Sequence, residues 1–428
     1  MALDLTCGGG TTMKALVGAN LIDGTGGPVL NDATVLIDGE RIVETGHRLA
    51  VELPPRTEVV DVSGMTVMPG MIDCHDHLAS KDYGLASRMG FDAPLSLQHL
   101  RTAKVLEQTL QAGYTCVRDG GGLDAGFKQA VEMGMYPGPR LVVSVAIISP
   151  TGGLADKVTP SGQCFPHDDP MIPSGVADGD DPVRAKVREM CRVGADVIKF
   201  ATTGGASSRP GHGPLDIAFG PTEVRALVEE SRALGRRTMC HAVGGPGLRM
   251  CVEAGANSVE HGCYLAEDPD LLKMMADKGT FLVPTFEIYE FHATLSAPHM
   301  QARSRALMDI HRDTMHQALA AGVKVVAGTD AGGYVHGDNA REVQILVEKG
   351  MSNMQAIQAC TGWAAECVGL DKDIGTITKG KFADLLVIDG DPLKDIEALR
   401  RPESMKMVMK GGELAVDNLP VREPQSVA

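Results

Sequence analysis

The sequence predicts an α/β fold: a TIM (β/α)8 barrel with a small β-sandwich domain beside it. Three observations favour this fold. Apolar, strand-like runs alternate with helix-like stretches through the middle of the chain, and eight such units follow one another. Parallel strands joined by helical crossovers explain the alternation, and eight units match a closed barrel. Both ends of the chain carry short β-like runs instead. A doubly wound open sheet is the alternative that the alternation also allows.

Composition and charge exclude several classes of protein. The 428 residues are 43% hydrophobic and 22% charged, as in an ordinary globular protein. The net charge of −15 argues against a nucleic-acid binder and against anionic membrane surfaces. No run reaches the roughly 18 apolar residues of a transmembrane helix. The ten cysteines include no CxxC pair, which favours buried, reduced thiols.

The sequence predicts five parts of the chain. Residues 1–12 are predicted to be a loose tail rich in glycine and threonine. Residues 13–67 hold three β-like runs that each end in a glycine-bearing turn, and we expect them to form the first part of the β-sandwich. The barrel is predicted over 68–370. The second part of the β-sandwich is predicted over 371–416, and 417–428 form a C-terminal tail.

The eight barrel strands are predicted where runs of apolar residues end in glycine or aspartate. Segments with a helical pattern of apolar residues, such as PTEVRALVEESRALG, separate these strands. The predicted strands are 71–78, 114–121, 140–149, 195–205, 236–245, 257–265, 279–286 and 323–333. Functional groups of such a barrel gather at the carboxyl ends of its strands, so polar residues at these ends are the candidates for chemistry.

The first predicted strand ends in His75, Asp76 and His77. Residues two apart on a strand point the same way, so the two imidazoles are expected to face the lumen together. Two imidazoles that converge from one strand suit a divalent metal ion. A chance HxH pair with two structural histidines is the alternative.

Four more polar residues stand at equivalent strand ends: Lys199, His241, His261 and Asp330. Taken alone, each histidine could be a core residue, the lysine an ion-pair partner and the aspartate a cap. A lysine among metal ligands has a chemical explanation, because reaction with carbon dioxide turns it into a carbamate with anionic oxygen donors. Six ligand-type residues on strands one, four, five, six and eight form a far more specific pattern than any one of them.

The set GMIDCHDHL, VIKF, CHAVGG, VEHG and GTDAG resembles the amidohydrolase superfamily over roughly residues 14 to 415. The flanks VMPGMIDCHDH and GTITKGKFADLLVID are similar to the two edges of its small β-sandwich. The resemblance implies a metal-dependent hydrolase on a TIM barrel, with zinc as the default metal. It assigns one metal to His75, His77 and Asp330, the second to His241 and His261, and the bridge between them to carboxylated Lys199.

The stretches SPTGG, IKFATTGG and AGANSVEHG resemble the prolidase-type, carboxypeptidase-like branch of that superfamily. This branch hydrolyses dipeptides and N-acyl-amino acids, and it includes enzymes that cleave ochratoxin A to ochratoxin alpha and phenylalanine. Many of its members have a histidine where this chain has Leu154. The resemblance also implies a homo-oligomer, up to an octamer.

The mechanism that the resemblance implies is attack by a metal-bridging hydroxide on the scissile amide, with Asp330 carrying the proton to the leaving amine. A free α-carboxylate on the substrate also needs a cation or hydrogen-bond donors. Arg118 is expected on the loop after strand two, and Arg209 and His212 on a glycine-rich loop after strand four. Tyr289 and His292, after strand seven, are further candidates for the substrate pocket.

Other functions stay open at this stage. A Xaa-Pro dipeptidase, or a lactonase or esterase, could use the same two-metal site. A mononuclear deaminase is disfavoured, because HAVGG lacks the glutamate that such enzymes carry after the fifth-strand histidine. A non-catalytic assembly protein is disfavoured, because every expected ligand is present. The first residues have neither a basic segment nor an apolar one, so we expect a cytoplasmic protein unless a leader has been removed.

Overall fold

The computed structural model describes residues 13–159, 161–163, 169, 172–209 and 211–419. The predicted tail 1–12 and most of the predicted tail 417–428 lie outside these residues. The strands are β1 (Lys14–Leu21), β2 (Leu30–Asp38), β3 (Arg41–His47), β4 (Glu58–Asp61), β5 (Thr66–Pro69), β6 (Met71–Asp76), β7 (Tyr114–Asp119), β8 (Arg140–Val143), β9 (Ile147–Ile148), β10 (Val197–Ala201), β11 (Arg237–Ala242), β12 (Ser258–His261), β13 (Phe281–Val283), β14 (Leu385–Ile388), β15 (Met405–Lys410) and β16 (Glu413–Asp417).

The α-helices of the same residues lie mostly between the strands of the middle region. They are α1 (Leu85–Arg88), α2 (Leu95–Gln111), α3 (Ala125–Glu132), α4 (Asp180–Arg192), α5 (Pro221–Ala233), α6 (Gly245–Ala254), α7 (Pro269–Lys278), α8 (Phe286–Leu295), α9 (Pro298–Ala320), α10 (Ala340–Glu348), α11 (Asn353–Ala359) and α12 (Gly362–Val368). Within the described part of the chain, none of these helices combines the length and the apolar character needed to cross a membrane.

The two ends of the chain share one β-sheet. Its order is β16-β15-β14-β5-β1-β2-β3, and β4 pairs with β1 at its side. The connection between the ends is the antiparallel pairing of β14 with β5, in which Leu386 lies opposite Met68. Buried side chains such as Leu16, Val35 and Leu385 form a common core on this sheet. Residues far apart in sequence therefore fold as one β unit.

The middle of the chain forms two parallel sheets, which confirms the α/β class. One has the order β6-β7-β8 and the other β13-β12-β11-β10-β9. The predicted third strand, 140–149, takes part in both: β8 pairs with β7, and β9 pairs with β10. Between these two short strands Val145 has a φ of 66°, a conformation that β-branched residues rarely adopt. This kink lets one segment hydrogen-bond to two neighbours.

The prediction of a regular eighth strand over 323–333 is wrong. This segment makes isolated hydrogen bonds on both sides instead. On one side the Val326 N–H donates to the Leu282 carbonyl over 2.9 Å. On the other the Cys74 N–H donates to the Ala327 carbonyl over 2.9 Å. Its regular geometry ends at Asp330, where φ is 55°. The segment nevertheless lies between β13 and β6, as an eighth strand would.

Strand periodicity decides which side chains face the interior of the parallel sheets. On β10, Ile198 and Phe200 pack in the same core as Leu227 of α5. Val197, with the opposite parity, belongs to a separate interior cluster. Lys199 shares the parity of Val197, so its side chain also points to the interior, one layer nearer the carboxyl end of the strand. The period of two thus places a charged residue where the apolar neighbours would not suggest one.

We expect Asp384→Ala to lower the free energy of unfolding by about 2 kcal/mol, measured by chemical denaturation. The Asp384 carboxylate is buried and accepts hydrogen bonds from Arg140 of β8 over 3.0 and 3.2 Å and from the Gly411 N–H over 2.7 Å. Its loss unties the β unit from the parallel sheets. Glu253→Ala is the control, since its pair with Arg249 is solvent-exposed and is worth less than about 1 kcal/mol. Equal losses in both variants would contradict the prediction.

Candidate metal centre and active site

The two histidines at the end of β6 are oriented through their Nδ1 atoms. His75 Nδ1 lies 2.8 Å from Glu260 Oε2, and His77 Nδ1 lies 2.9 Å from the Gly121 carbonyl oxygen. Both Nε2 atoms are thereby turned toward Asp330, whose Oδ1 lies 3.8 Å from that of His75 and 3.3 Å from that of His77. Metal-ligating histidines in proteins are typically oriented in this way.

The structure brings the other predicted ligands to the same place. Lys199 Nζ lies 3.2 Å from His75 Nε2. The His261 ring centre is 5.2 Å from that of His75 and 4.4 Å from that of His241. One donor atom each from His75, His261 and Asp330 fit within 4.8 Å of one another. All six predicted ligands therefore converge at the carboxyl ends of the parallel strands.

Burial tunes the protonation of this cluster. It lowers the pKa of His75 and of His261 well below the ordinary value, and that of His241 to about 3. It also lowers the pKa of Lys199 to about 8 and raises that of Asp330. Neutral imidazoles keep their lone pairs, which is the form that binds a metal ion. The donor set therefore fits divalent cations.

A buried ion pair beneath the cluster was missed by the sequence analysis. Glu260 is fully buried, and its Oε1 accepts a hydrogen bond from Arg118 Nη2 over 3.0 Å, while Oε2 faces His75. Arg118 also donates to the Cys74 carbonyl over 2.6 Å and to Ser258 Oγ over 3.1 Å. The only signal in the sequence was the acidic residue beside the histidine in VEHG.

The expectation that Arg118 stands on a loop is wrong. It lies inside β7, and 1% of its side chain is exposed. Its guanidinium contacts three protein acceptors in the interior, so it has no path to a substrate. The predicted strand 114–121 already contained Arg118, so its assignment to the following loop did not agree with that range, and the observed strand ends at Asp119.

Backbone strain marks the strand ends that carry the cluster. His261 has a φ of 73°, Asp330 of 55° and Thr285 of 54°. Left-handed conformations of this kind cost non-glycine residues about 1–3 kcal/mol each and gather at functional sites. The surrounding contacts hold them: His261 Nδ1, for example, lies 2.8 Å from Thr285 Oγ1.

A second buried network fixes the segment that carries Asp330. The Asp73 carboxylate accepts hydrogen bonds from Thr329 Oγ1 over 2.7 Å and from Asn339 Nδ2 over 2.9 Å. Asn339 also donates to Asp76 over 3.0 Å, and His336 Nε2 lies 2.9 Å from the same carboxylate. Burial raises the pKa of Asp73 to about 7. The network ties β6 to residues on both sides of Asp330.

A cavity of about 290 Å³ opens onto the cluster, and all six predicted ligands line it. Its wall also includes Tyr83, which the sequence analysis missed and whose hydroxyl donates to Asp330 Oδ1 over 2.6 Å. Apolar parts of the wall come from Leu95, Phe127 and Leu154. A group of ligand-type side chains farther along the wall consists of His99, Asp124 and Asp169.

The structure places the other predicted substrate residues apart from the cavity wall. Among the described residues that line it, Arg209, His212, Tyr289 and His292 do not occur. Arg209 is exposed and donates to the Gly152 carbonyl over 3.2 Å, and His212 is half-buried. Tyr289 and His292 are buried in α8. Tyr289 packs against His261, and the centres of the two rings lie 6.0 Å apart.

Comparison with known proteins agrees with this geometry. The model of the amidohydrolase family matches residues 66–415. Ochratoxinase of Aspergillus niger is 31% identical over 418 residues, which cover 92% of this chain and 85% of that protein. Its crystal structure superposes with a TM-score of 0.86 at 30% identity, over 97% of this chain and 98% of that one.

A second solved relative is a prolidase in complex with N-methylphosphonate-L-proline. It is 34% identical, has a TM-score of 0.87, and the match covers 94% of this chain and 99% of the prolidase chain. A match to the family model over most of the chain, joined to relatives of this identity and coverage, shows the family. The chain belongs to the amidohydrolase family.

Proposed function

We propose that this protein is a two-metal amidohydrolase that releases the C-terminal amino acid from N-acyl-L-amino acids or dipeptides, in the manner of a carboxypeptidase. Ochratoxin A is among the proposed substrates, with ochratoxin alpha and phenylalanine as products. The observation that carries the proposal is the convergence of six ligand-type side chains at one end of a cavity whose walls are partly apolar. We also propose that segment 323–333 closes the two parallel sheets into a (β/α)8 barrel around this site.

The donor set would divide between two zinc ions. His75, His77 and Asp330 would hold one ion, His241 and His261 the other. Lys199 would join them as a carbamate: its neutral amine nitrogen forms a bond to the carbon of carbon dioxide, and a proton leaves to solvent. Mixed imidazole and oxygen donors suit zinc. Bound divalent cations of this kind lower the pKa of water and polarise a scissile carbonyl.

The chain's own residues supply the proton transfer and the orientation. Asp330 lies within reach of both β6 histidines, and its carboxylate would accept a proton from water and hand it to the nitrogen of the leaving amine. The Tyr83 hydroxyl donates to Oδ1 and so holds this carboxylate in one orientation. Glu260 fixes His75 in the same sense. These contacts leave little reorganisation for the reaction itself.

The cavity wall supports an apolar acyl or side-chain group on the substrate. Phe127, Val145 and Leu154 line it together with small residues. Leu154, at a place where the resemblance implies a histidine in many relatives, adds to this apolar surface. An aromatic amide such as ochratoxin A would bury its rings against these side chains. The solved prolidase favours a Xaa-Pro dipeptidase as the second candidate.

The proposal is tested by measuring amino-acid release by mass spectrometry from a substrate panel given to zinc-loaded protein. The panel holds ochratoxin A, other N-acyl-L-phenylalanines, N-acyl-leucine, N-acyl-lysine and Xaa-Pro dipeptides, with simple lactones as controls. We expect release of phenylalanine. Release of proline alone would make the protein a prolidase. Turnover of lactones without any amide would contradict the proposed reaction and identify an esterase.

We expect Lys199→Ala to lower kcat/KM by at least about 100-fold and to reduce the metal content per chain, because it removes the carbamate proposed to join the two ligand groups. Metal content is measured by mass spectrometry of the purified protein. A carbon-13 resonance from labelled carbon dioxide should appear in the wild type and be absent from the variant. Lys157→Ala, which alters the other lysine of the cavity wall, is the control and should keep both metals. Full activity and full metal content in Lys199→Ala would refute the carbamate.

We expect Glu260→Gln to weaken zinc affinity about 10- to 100-fold, since an amide cannot balance the Arg118 charge and orients His75 less firmly. Competition with a chromogenic chelator measures the affinity directly. The matched control is Glu229→Gln, since Glu229 of α5 forms its ion pair with Arg184 of α4 at the surface. If both variants bind zinc as the wild type does, Glu260 has no part in holding the site.

A further inference from the structure

The contacts described so far assign no role to one cation of the cavity wall. Arg88, at the end of α1, lines the same cavity as the six ligand-type residues. Its side chain is partly buried, and burial lowers the pKa of its guanidinium. Within the described residues its hydrogen bond is to the Ser207 carbonyl over 3.4 Å, near the upper limit for such a bond, and it forms no ion pair.

This lack of an anionic partner sets Arg88 apart from Arg118 and Arg140, two other arginines withdrawn from solvent. Arg118 pairs with Glu260, and Arg140 pairs with Asp384. A guanidinium withdrawn from water without a compensating anion destabilises the fold. Such a group in a binding cavity is accounted for when a ligand brings the anion. The guanidinium fork matches a carboxylate, which it can bind with two parallel hydrogen bonds.

The position of Arg88 relates it to the reacting groups. It lies close enough to Tyr83 for its charge to act on the tyrosine hydroxyl, and that hydroxyl donates to Asp330. An anion on Arg88 would thus lie on the Tyr83 side of Asp330, the residue proposed to protonate the leaving amine. In an N-acyl-amino acid the free carboxylate is one carbon away from that amine nitrogen.

We propose that Arg88 binds the free α-carboxylate of the substrate and thereby selects amides of C-terminal amino acids over neutral amides and lactones. The inference rests on the proposed function and adds its specificity residue. It replaces Arg118 and Arg209 in the role that the sequence analysis gave them, because the first is sealed in the interior and the second lies off the cavity wall.

The test is Arg88→Gln, assayed on an N-acyl-L-phenylalanine and on its neutral carboxamide. We expect kcat/KM for the acid to fall about 10- to 100-fold, mostly through KM, as for loss of a charge-assisted hydrogen-bond pair. The carboxamide should lose far less, so the preference for the acid disappears. Arg101→Gln is the matched control, since its partner is Asp92, outside the cavity wall.

Several outcomes would overturn the inference. An equal loss on both substrates would mean that Arg88 only supports the backbone at Ser207. Retention of the acid preference would do the same, as would its disappearance in Lys157→Gln or Arg209→Gln instead. If the wild type releases nothing from any amide, the proposed function fails separately. Calorimetric binding of N-acetyl-L-phenylalanine then decides on Arg88: binding at least about tenfold weaker in Arg88→Gln supports it, and unchanged binding refutes it.

Discussion

The buried pair of Arg118 and Glu260 is the interaction on which the rest of the site depends. Both side chains are almost completely withdrawn from water, so each needs the other's charge. Glu260 uses its second oxygen to orient His75, and Arg118 uses its other donors to hold the backbone of β6 at Cys74. One ion pair therefore links β6, β7 and β12 directly beneath the candidate metal centre. Its desolvation is costly, and what it achieves is orientation of a ligand rather than stability.

Much of the fold and all six candidate ligands could be predicted from local sequence. The side chains of a strand alternate with a period of two, and parallel strands bring their carboxyl ends to one edge of the sheet. A polar residue at such a strand end can therefore be recognised from the sequence alone. This reasoning located Lys199 and His241. It works because the rule concerns only a residue's place on its own strand.

Residues whose role depends on another strand could not be found in this way. Glu260 is significant because Arg118 lies across the interior from it, and Tyr83 because its chain crosses over to Asp330. Arg118 itself was assigned to a loop facing the substrate, although it lies in a strand, because its partner Glu260 belongs to a different strand. The irregular segment 323–333 has the same origin: its two hydrogen-bonding edges face different strands, and the left-handed Asp330 ends its regularity.

The negative net charge of the protein opposes the binding of an anionic substrate. A net charge of −15 repels a carboxylate at long range, but at physiological salt such repulsion fades over about 8 Å. Recognition must then come from cations inside the cavity, where water and salt screen them less. The donor cluster would contribute metal charge at the scissile carbonyl, and Arg88 a second positive group at a fixed place on the wall. An amide with a free carboxylate meets both at once, whereas a lactone or neutral amide engages only the first.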